Sequence, residues 1–245
     1  MNKVKHLFLV LLLVMAQLPL CATNIELSWS FNQGDAKALQ GTISKEGLFS
    51  YATASLGSDL EFLGTNKAGS LTVTKVQPKV KASNNGDGNA ISFSLKTKKG
   101  LSLSVKSFSF DACKLGTNGG SIDVVAEAGG KSYELLKAQS PQNAKNDPYF
   151  THYTADLSQI PATEGEWVIK VFIKNVATNK QYGFANFAIT ATTEGEVEQV
   201  NSYTLSASLT DAKAGSVKVS PAGSAFDEGT SVTLTATENF GYHFE

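Results

Sequence analysis

An alternation of apolar and polar residues with a period of two runs through most of the chain and constrains its fold more than any other feature. Successive side chains of a β-strand point to opposite faces of a sheet, so this period is typical of strands with one buried face. The pattern is clearest in Ile25–Phe31, Ile91–Leu95 and Trp167–Ile173. Many such strands, separated by Gly-rich turns, predict an all-β protein in which residues 24–193 form a two-sheet, jelly-roll-like sandwich.

The phase of the alternation predicts which side chains form the core and where one strand is irregular. Large apolar residues occupy odd positions up to Val105 and even positions from Phe108. A β-bulge at Lys106-Ser107 explains the change, because one extra residue returns the same face to the core. The predicted core includes residues that are in phase on their strands: Trp29, Phe93, Leu103, Phe108, Trp167, Ile169, Val171 and Phe187.

The first 22 residues have the pattern of a secretory signal peptide. Lys3 and Lys5 precede an apolar run that is shorter than the ~20 residues a transmembrane helix needs. We therefore expect a protein that is secreted or displayed on the cell surface, without a membrane span. Cleavage after Ala22 is the first expectation. Lipid attachment at Cys21 is the alternative, because Leu18–Cys21 has the outline of a lipobox.

The basic residues limit the classes of partner. All 21 are lysines, against 22 acidic residues, so the formal charge is slightly negative. The planar guanidinium group of arginine is the side chain best suited to grip phosphates and carboxylates with two parallel hydrogen bonds. Its absence argues against nucleic-acid binding and against a site built to hold acidic sugars. A monomer is expected.

A change in composition separates the sandwich from the last part of the chain. Residues 194–202 are acidic and poor in large apolar side chains, which predicts a linker. Residues 203–245 then carry three or four short alternating segments. So short a stretch buries too little apolar surface for a stable core of its own.

The best candidate for a ligand contact is an aromatic segment within the longest stretch that lacks a strand pattern, residues 138–156. Tyr149, Phe150, His152 and Tyr153 lie close together there after a proline, and loops on a rigid sandwich often carry binding residues. We predict that these four residues contact a ligand, with a polysaccharide as the expected partner. The alternative is that the aromatic side chains fold back onto the core.

Two segments, Asp59–Glu61 and Asn85–Asn89, offer oxygen ligands for a structural calcium ion. The second resembles a calcium-binding loop but lacks its downstream glutamate, so an Asn/Gly turn is the favoured interpretation. His152 has no partner at the spacing of zinc ligands. No catalytic residue is predicted, since the sequence has no nucleophile elbow and no supported acid–base pair. Cys113, the only cysteine left after signal cleavage, is expected to be a small buried apolar residue.

The last part of the chain carries several spaced motifs: Tyr203-Thr-Leu-Ser-Ala-Ser-Leu, Gly215-Ser-Val-Lys-Val-Ser-Pro, Gly229-Thr-Ser-Val-Thr-Leu-Thr-Ala and Gly241-Tyr-His-Phe. This run over residues 203–245 resembles the divergent internalin-type B-repeat, also called the bacterial repeat domain. The resemblance implies a small β-module used as a spacer or adhesion element. Such repeats continue into a tryptophan-bearing strand, so we expect an incomplete repeat here and a longer parent protein.

Residues 24–193 carry a second set of motifs: Trp29-Ser-Phe, Gly47-Leu-Phe, Thr74-Lys-Val-Gln-Pro and Gly183-Phe-Ala-Asn-Phe-Ala-Ile. They are similar to the jelly-roll segment at the front of some secreted bacterial pectate lyases, where a signal, this sandwich and a B-repeat precede a catalytic parallel β-helix. The resemblance implies a non-catalytic, exported accessory module with carbohydrate-binding character, from the N-terminal part of a polysaccharide-degrading protein.

Two alternative functions stay open at this point. The chain could be a segment of a cell-surface adhesin or stalk, in which the same modules bind a protein or act as a spacer. In the other alternative, the parent protein is itself a pectin-active lyase whose catalytic β-helix lies outside these 245 residues.

Overall fold

The computed structural model describes residues 22–29, 41–116, 119–198, 202–207, 211, 213–227 and 230–241. The described part is almost entirely strand, with two short 3₁₀ turns at Glu46–Leu48 and Asp87–Asn89. The chain divides into two compact units between Val197 and Glu198. The predicted signal before Ala22, including Cys21, and the end of the chain after Gly241 lie outside the described residues.

The described residues of the first unit form twelve strands. In chain order they are β1 (Thr23–Trp29), β2 (Gly41–Ile43), β3 (Phe49–Leu56), β4 (Leu60–Ala68), β5 (Leu71–Pro78), β6 (Ala90–Thr97), β7 (Leu101–Lys114), β8 (Ser121–Ala128), β9 (Lys131–Gln139), β10 (Thr151–Asp156), β11 (Trp167–Lys174) and β12 (Tyr182–Gly195). The end of the predicted first strand, Phe31, lies outside the described residues.

These strands form two antiparallel sheets. Sheet A has the order β10-β7-β12-β1-β2, and the β4–β5 hairpin joins it because β5 also pairs with β12. Sheet B has the order β3-β6-β11-β8-β9. The apolar faces of both sheets share one core, which is the expected solution for strands that bury one face. The predicted all-β, two-sheet, jelly-roll-like sandwich is confirmed.

The core is built from the side chains that the alternation places on the inner faces. All eight predicted core residues are buried, including Trp29 and Trp167. The Phe93 ring lies between the sheets, with centroid distances of 5.0 Å to Trp29 and 4.9 Å to Phe187. Tilted and edge-on ring pairs at such distances stabilise a core beyond the burial of their area.

Two bulges modify the long ladder between β7 and β12. Ser107 pairs with Thr190, and Val105 pairs with Ala191, so Lys106 is the extra residue and the predicted bulge is confirmed. A second register shift lies between Ala185 and Ala188 of β12. There Asn186 adopts a left-handed backbone with φ of 52°, a conformation that asparagine tolerates better than most residues.

A smaller apolar cluster covers part of the outer face of sheet A. The β4–β5 hairpin contributes Ala68 and Val73, which pack with Cys113 of β7 and Ala185 of β12. Cys113 follows the core-facing Ala112 and therefore points away from the main core. It is fully buried, which confirms the expected role of Cys113 as a small apolar residue.

The described part of the second unit forms two short antiparallel pairs. Strand β13 (Ser202–Thr204) pairs with β15 (Ala225–Asp227), and β14 (Gly215–Ser220) pairs with β16 (Thr233–Glu238). All six side chains of β16 are exposed, and so are Tyr203 and Phe240. The described strands of this unit therefore bury little apolar surface.

None of the described segments forms a helix with the length and hydrophobicity of a transmembrane span.

Candidate functional site

The aromatic segment that sequence analysis selected lies at the edge of sheet A, where the chain enters β10. Its second half is not a loop: residues 151–156 pair with residues 107–112 of β7. The expectation that residues 138–156 lack strand structure is therefore wrong for this part. The alternation that defines β10 is short, with only Tyr153 and Ala155 facing the core, which explains why the pattern is weak in the sequence.

Two of the four predicted contact residues fold inward. The Tyr153 side chain is only 7 % exposed and stacks on Phe110, with ring centroids 5.2 Å apart. Phe150 packs against the outer apolar cluster around Cys113. Their burial corresponds to the alternative in which aromatic side chains fold back onto the protein. The Tyr153 ring is therefore not accessible to a ligand.

The other two predicted residues, Tyr149 and His152, present surface to solvent. Tyr149 is 38 % exposed, and its ring lies against the β4–β5 turn at Gly69. A Cβ atom at Gly69 would lie 2.5 Å from Cδ2 of Tyr149, and the φ of Gly69 is +62°. Both observations require glycine at this position. The turn thus packs against the tyrosine ring and leaves part of the side chain accessible.

A row of polar side chains crosses three strands of sheet A, β10, β7 and β12. Asp111 of β7 is only 5 % exposed, although it lies on the outer face. His152 Nδ1 lies 2.8 Å from Asp111 Oδ1, and Asn186 Nδ2 donates to Asp111 Oδ2 at 2.6 Å. The bulge in β12 places Asn186 in this position. Both carboxylate oxygens therefore have partners, as a buried charge requires.

The hydrogen bonds determine which groups are left for a ligand. Because a carboxylate only accepts, Nδ1 of His152 carries the proton in this contact, and Nε2 lies 3.2 Å from the Thr154 hydroxyl, within hydrogen-bonding distance. The imidazole is held in one orientation while more than half of the His152 side chain stays exposed. The polar row, which we define as Asp111, His152, Thr154 and Asn186, thus offers a fixed ring and a hydroxyl on an open sheet face.

The same order of groups, a carboxylate, an imidazole and a hydroxyl, occurs in catalytic triads. Thr154 is a secondary alcohol on a regular strand, and β10 and β7 are paired through the whole of Thr151–Asp156. Thr154 and His152 both present their polar atoms on the outer face of the sheet, where they can exchange hydrogen bonds with a ligand.

The two segments considered for calcium form a hydrogen-bonded turn region. The Asp59 N–H donates to the Gly88 carbonyl at 2.7 Å, Asn89 donates to the Ile173 carbonyl at 2.9 Å, and Asp87 pairs with Lys170. Across the described ranges, no three His, Cys, Asp or Glu side chains come together as a metal site. The contacts give these residues structural roles, and a bound calcium ion stays a prediction.

Sequence reasoning missed Asp111 and Asn186, the two residues that hold His152 in place. Both carried a weak signal, since each is a polar residue within an apolar strand segment: Phe-Asp-Ala-Cys for Asp111 and Phe-Ala-Asn-Phe for Asn186. Their pairing depends on the register of strands 75 positions apart, which the local pattern does not contain.

No protein-family model and no curated protein matches the sequence. Solved structures do show likeness. The CBM22-1 xylan-binding domain from Paenibacillus barcinonensis Xyn10C has 10 % identity and a TM-score of 0.39, over 70 % of this chain and 94 % of that domain.

Two further structures are similar over slightly more than half of this chain. The CBM36-1 domain of a multidomain xylanase from the hindgut metagenome of Trinervitermes trinervoides has 12 % identity and a TM-score of 0.27, over 57 % of this chain and 96 % of that domain. A family two carbohydrate esterase from Cellvibrio japonicus has 12 % identity and a TM-score of 0.26, over 61 % of this chain and 36 % of that protein. At these values the likenesses assign no ligand and no site.

Proposed function

We propose that this protein is an exported, non-catalytic module that binds a polysaccharide through Tyr149 and the polar row on sheet A. The observation that carries the proposal is the fixed orientation of His152, set by a nearly buried Asp111 that Asn186 also holds. A nearly buried carboxylate that is hydrogen-bonded to an exposed side chain holds that side chain in one position, as a preorganised binding group requires.

The chemistry of the surface fits a sugar chain. Saccharide rings have apolar C–H faces that pack on an aromatic ring, and rims of hydroxyl groups that exchange hydrogen bonds with imidazole and hydroxyl groups. Tyr149 supplies the ring, and His152 with Thr154 supplies the polar contacts. One of the solved structures with some likeness is described as a xylan-binding domain, but the proposal rests on the surface of this protein.

The domain organisation forms part of the same proposal. Residues 1–22 would act as the export signal and residues 24–193 as the binding module. Residues 194–202 would act as a linker, of which Glu194 and Gly195 still pair in β12 and Ser202 begins β13. Residues 203–245 would form part of a B-type repeat. The pairing of β14 with β16, which aligns Val217 with Ala236, supports a repeat built from β-strands. A pectate lyase-like parent is proposed from the motifs alone, and a role as an adhesin or stalk is the competing proposal.

Binding can be measured on the full chain by affinity electrophoresis in gels that contain xylan, glucomannan, galactan or polygalacturonate. We expect retardation by at least one neutral polysaccharide, with none of the four degraded on incubation. Tyr149→Ala and His152→Ala should each weaken binding about tenfold, which corresponds to ~1.4 kcal/mol. Tyr203→Ala is the matched control, because Tyr203 is an exposed tyrosine in the second unit.

The proposal fails if no neutral polysaccharide retards the protein. It also fails if both variants bind as tightly as the wild type, since the surface identified here would then not be the contact. Release of unsaturated sugars from polygalacturonate, at a rate that follows the protein through purification, would contradict the non-catalytic assignment.

A further inference from the structure

A second concave surface lies on the outer face of sheet B, at the end that carries the turn between β8 and β9. This cleft has a volume of about 440 Å³ and lies between that turn and the segment leading into β11. Its lining includes Glu127, Gly129, Gly130, Ser132, Glu166 and Val168. The volume falls in the range of small-ligand sites. We propose that the cleft binds one or two units of a neutral saccharide, independently of the Tyr149 surface.

Strand register builds the floor of the cleft. Glu127 lies opposite Val168 on one side and opposite Ser132 on the other, so these three side chains form one row across β11, β8 and β9. Val168 alternates with the core residues Trp167 and Ile169 and is half-buried on the outer face. The row therefore places a carboxylate between an apolar side chain and a hydroxyl, and this mixture suits the apolar face and the hydroxyl groups of a sugar ring.

The turn that forms one wall leaves its backbone open. Gly129 and Gly130 have φ values of 56° and 73°, and a Cβ atom on either would have no heavy atom within 4 Å. The left-handed backbone explains why glycine is used twice here. The same two residues leave space in which a ligand can approach the peptide groups of the turn.

The two carboxylates that line the cleft already have hydrogen-bond partners, which favours a neutral ligand. Lys170 is 14 % exposed, and its amine lies 2.8 Å from Glu127 and 2.9 Å from Asp87. Partial burial acts to lower the pKa of Lys170, but the hydrogen bonds and charges of Glu127 and Asp87 outweigh it and raise that pKa above its ordinary value. Lys170 is therefore charged at neutral pH and balances Glu127.

The second carboxylate of the cleft is also held in place. The Tyr51 hydroxyl donates a hydrogen bond to Glu166, and Lys131 belongs to the same lining. An anionic ligand would face Glu127 and Glu166, while a cation would compete with Lys170 and Lys131. Neighbouring hydroxyl groups of a neutral sugar can donate to a carboxylate, which accepts through two oxygens, without the repulsion that an anion meets or the competition that a cation meets. Neutral saccharides are thus the ligand class that the cleft fits.

The test is an NMR titration of the ¹⁵N-labelled full chain with xylotetraose, cellotetraose and trigalacturonate. We expect a neutral tetrasaccharide to shift the amide signals of residues 127–132 and 165–168. Ser132→Trp should abolish these shifts by filling the cleft, and Glu166→Gln should weaken binding five- to tenfold. Glu134→Trp is the matched control, because Glu134 is exposed on the same strand two residues further on and does not line the cleft.

Several results would overturn the proposal. They are an absence of shifts at the cleft with both neutral sugars, shifts that survive unchanged in Ser132→Trp and Glu166→Gln, or stronger binding of trigalacturonate. Shifts around Tyr149 and His152 report on the other surface, so the two proposals succeed or fail separately. Thermal melts of each variant check folding, and Glu166→Gln keeps the test valid if Ser132→Trp does not fold.

Discussion

Replacing Trp167 by alanine tests whether the sandwich is held together as the strand phases indicate. Trp167 is fully buried on β11, and its Nε1–H donates to the Leu103 carbonyl of sheet A at 3.1 Å. The side chain thus ties the two sheets as well as filling the space between them. Trp167→Ala should lower the free energy of unfolding by about 3–5 kcal/mol, the usual cost of a large aromatic cavity.

The hydrogen bond allows a finer test. The Leu103 carbonyl also accepts the Thr163 N–H at 3.0 Å, so loss of the indole does not leave it without a partner. Trp167→Phe should therefore cost only about 1–2 kcal/mol, from one net hydrogen bond and a few lost atoms. An unpaired buried carbonyl would cost additional free energy, but the Leu103 carbonyl keeps its Thr163 partner, so this cost is not expected.

Urea unfolding followed by circular dichroism measures these differences, with the slope against urea checked for constancy. Val168→Ala is the control on the same strand, because its side chain points to the outer face, and it should cost under about 1 kcal/mol. If Trp167→Ala were as mild as Val168→Ala, the two-sheet core described here would be refuted.

Two further predictions concern buried ionisable groups. Burial acts to raise the pKa of Asp123, but hydrogen bonds from Lys174 and the Ala138 N–H, with the charge of Lys174, lower it below its ordinary 3.8. Asp123→Asn should therefore lower the free energy of unfolding by about 1.5–3 kcal/mol at pH 7. The difference between wild type and variant should shrink below about pH 4, where the wild type loses this stability. A difference that stays constant down to about pH 2 would contradict the pairing. Burial raises the pKa of the Cys113 thiol to about 11, so a thiol reagent at pH 8 should label it only in denaturant, and rapid labelling of the native protein would contradict its burial.

The parts of the fold that sequence predicted are those in which one face of a strand is buried and the other is wet. Such a strand alternates visibly, which is why Trp29, Phe93 and Trp167 were placed correctly and the bulge at Lys106 could be located. The same rule fails where both faces are covered. Cys113 points outward yet is buried by the β4–β5 hairpin, so the apolar residues Ala112 and Cys113 stand side by side in the sequence and the alternation is lost there.

The candidate site was harder to predict because it depends on contacts between distant strands. The aromatic segment was visible as a composition feature, but its side chains point in different directions once β10 pairs with β7. Tyr153 faces the core and His152 faces solvent, a difference that register alone decides. Asn186 joins the site because it is itself a bulge residue with a left-handed backbone, and no periodic pattern contains such a residue.

The pairing of β1 with β12 has a mechanical consequence. Thr23 at the start of β1 lies beside Thr193 near the end of β12, so the chain enters and leaves the sandwich at the same end of one sheet. A force pulling these two points apart acts across the strands and loads the β1–β12 hydrogen bonds one after another. Hydrogen bonds loaded in this way break one at a time, so the strand pair resists far less force than strands pulled along their length, where all the bonds share the load. Tension between flanking segments would therefore open the sandwich from this corner.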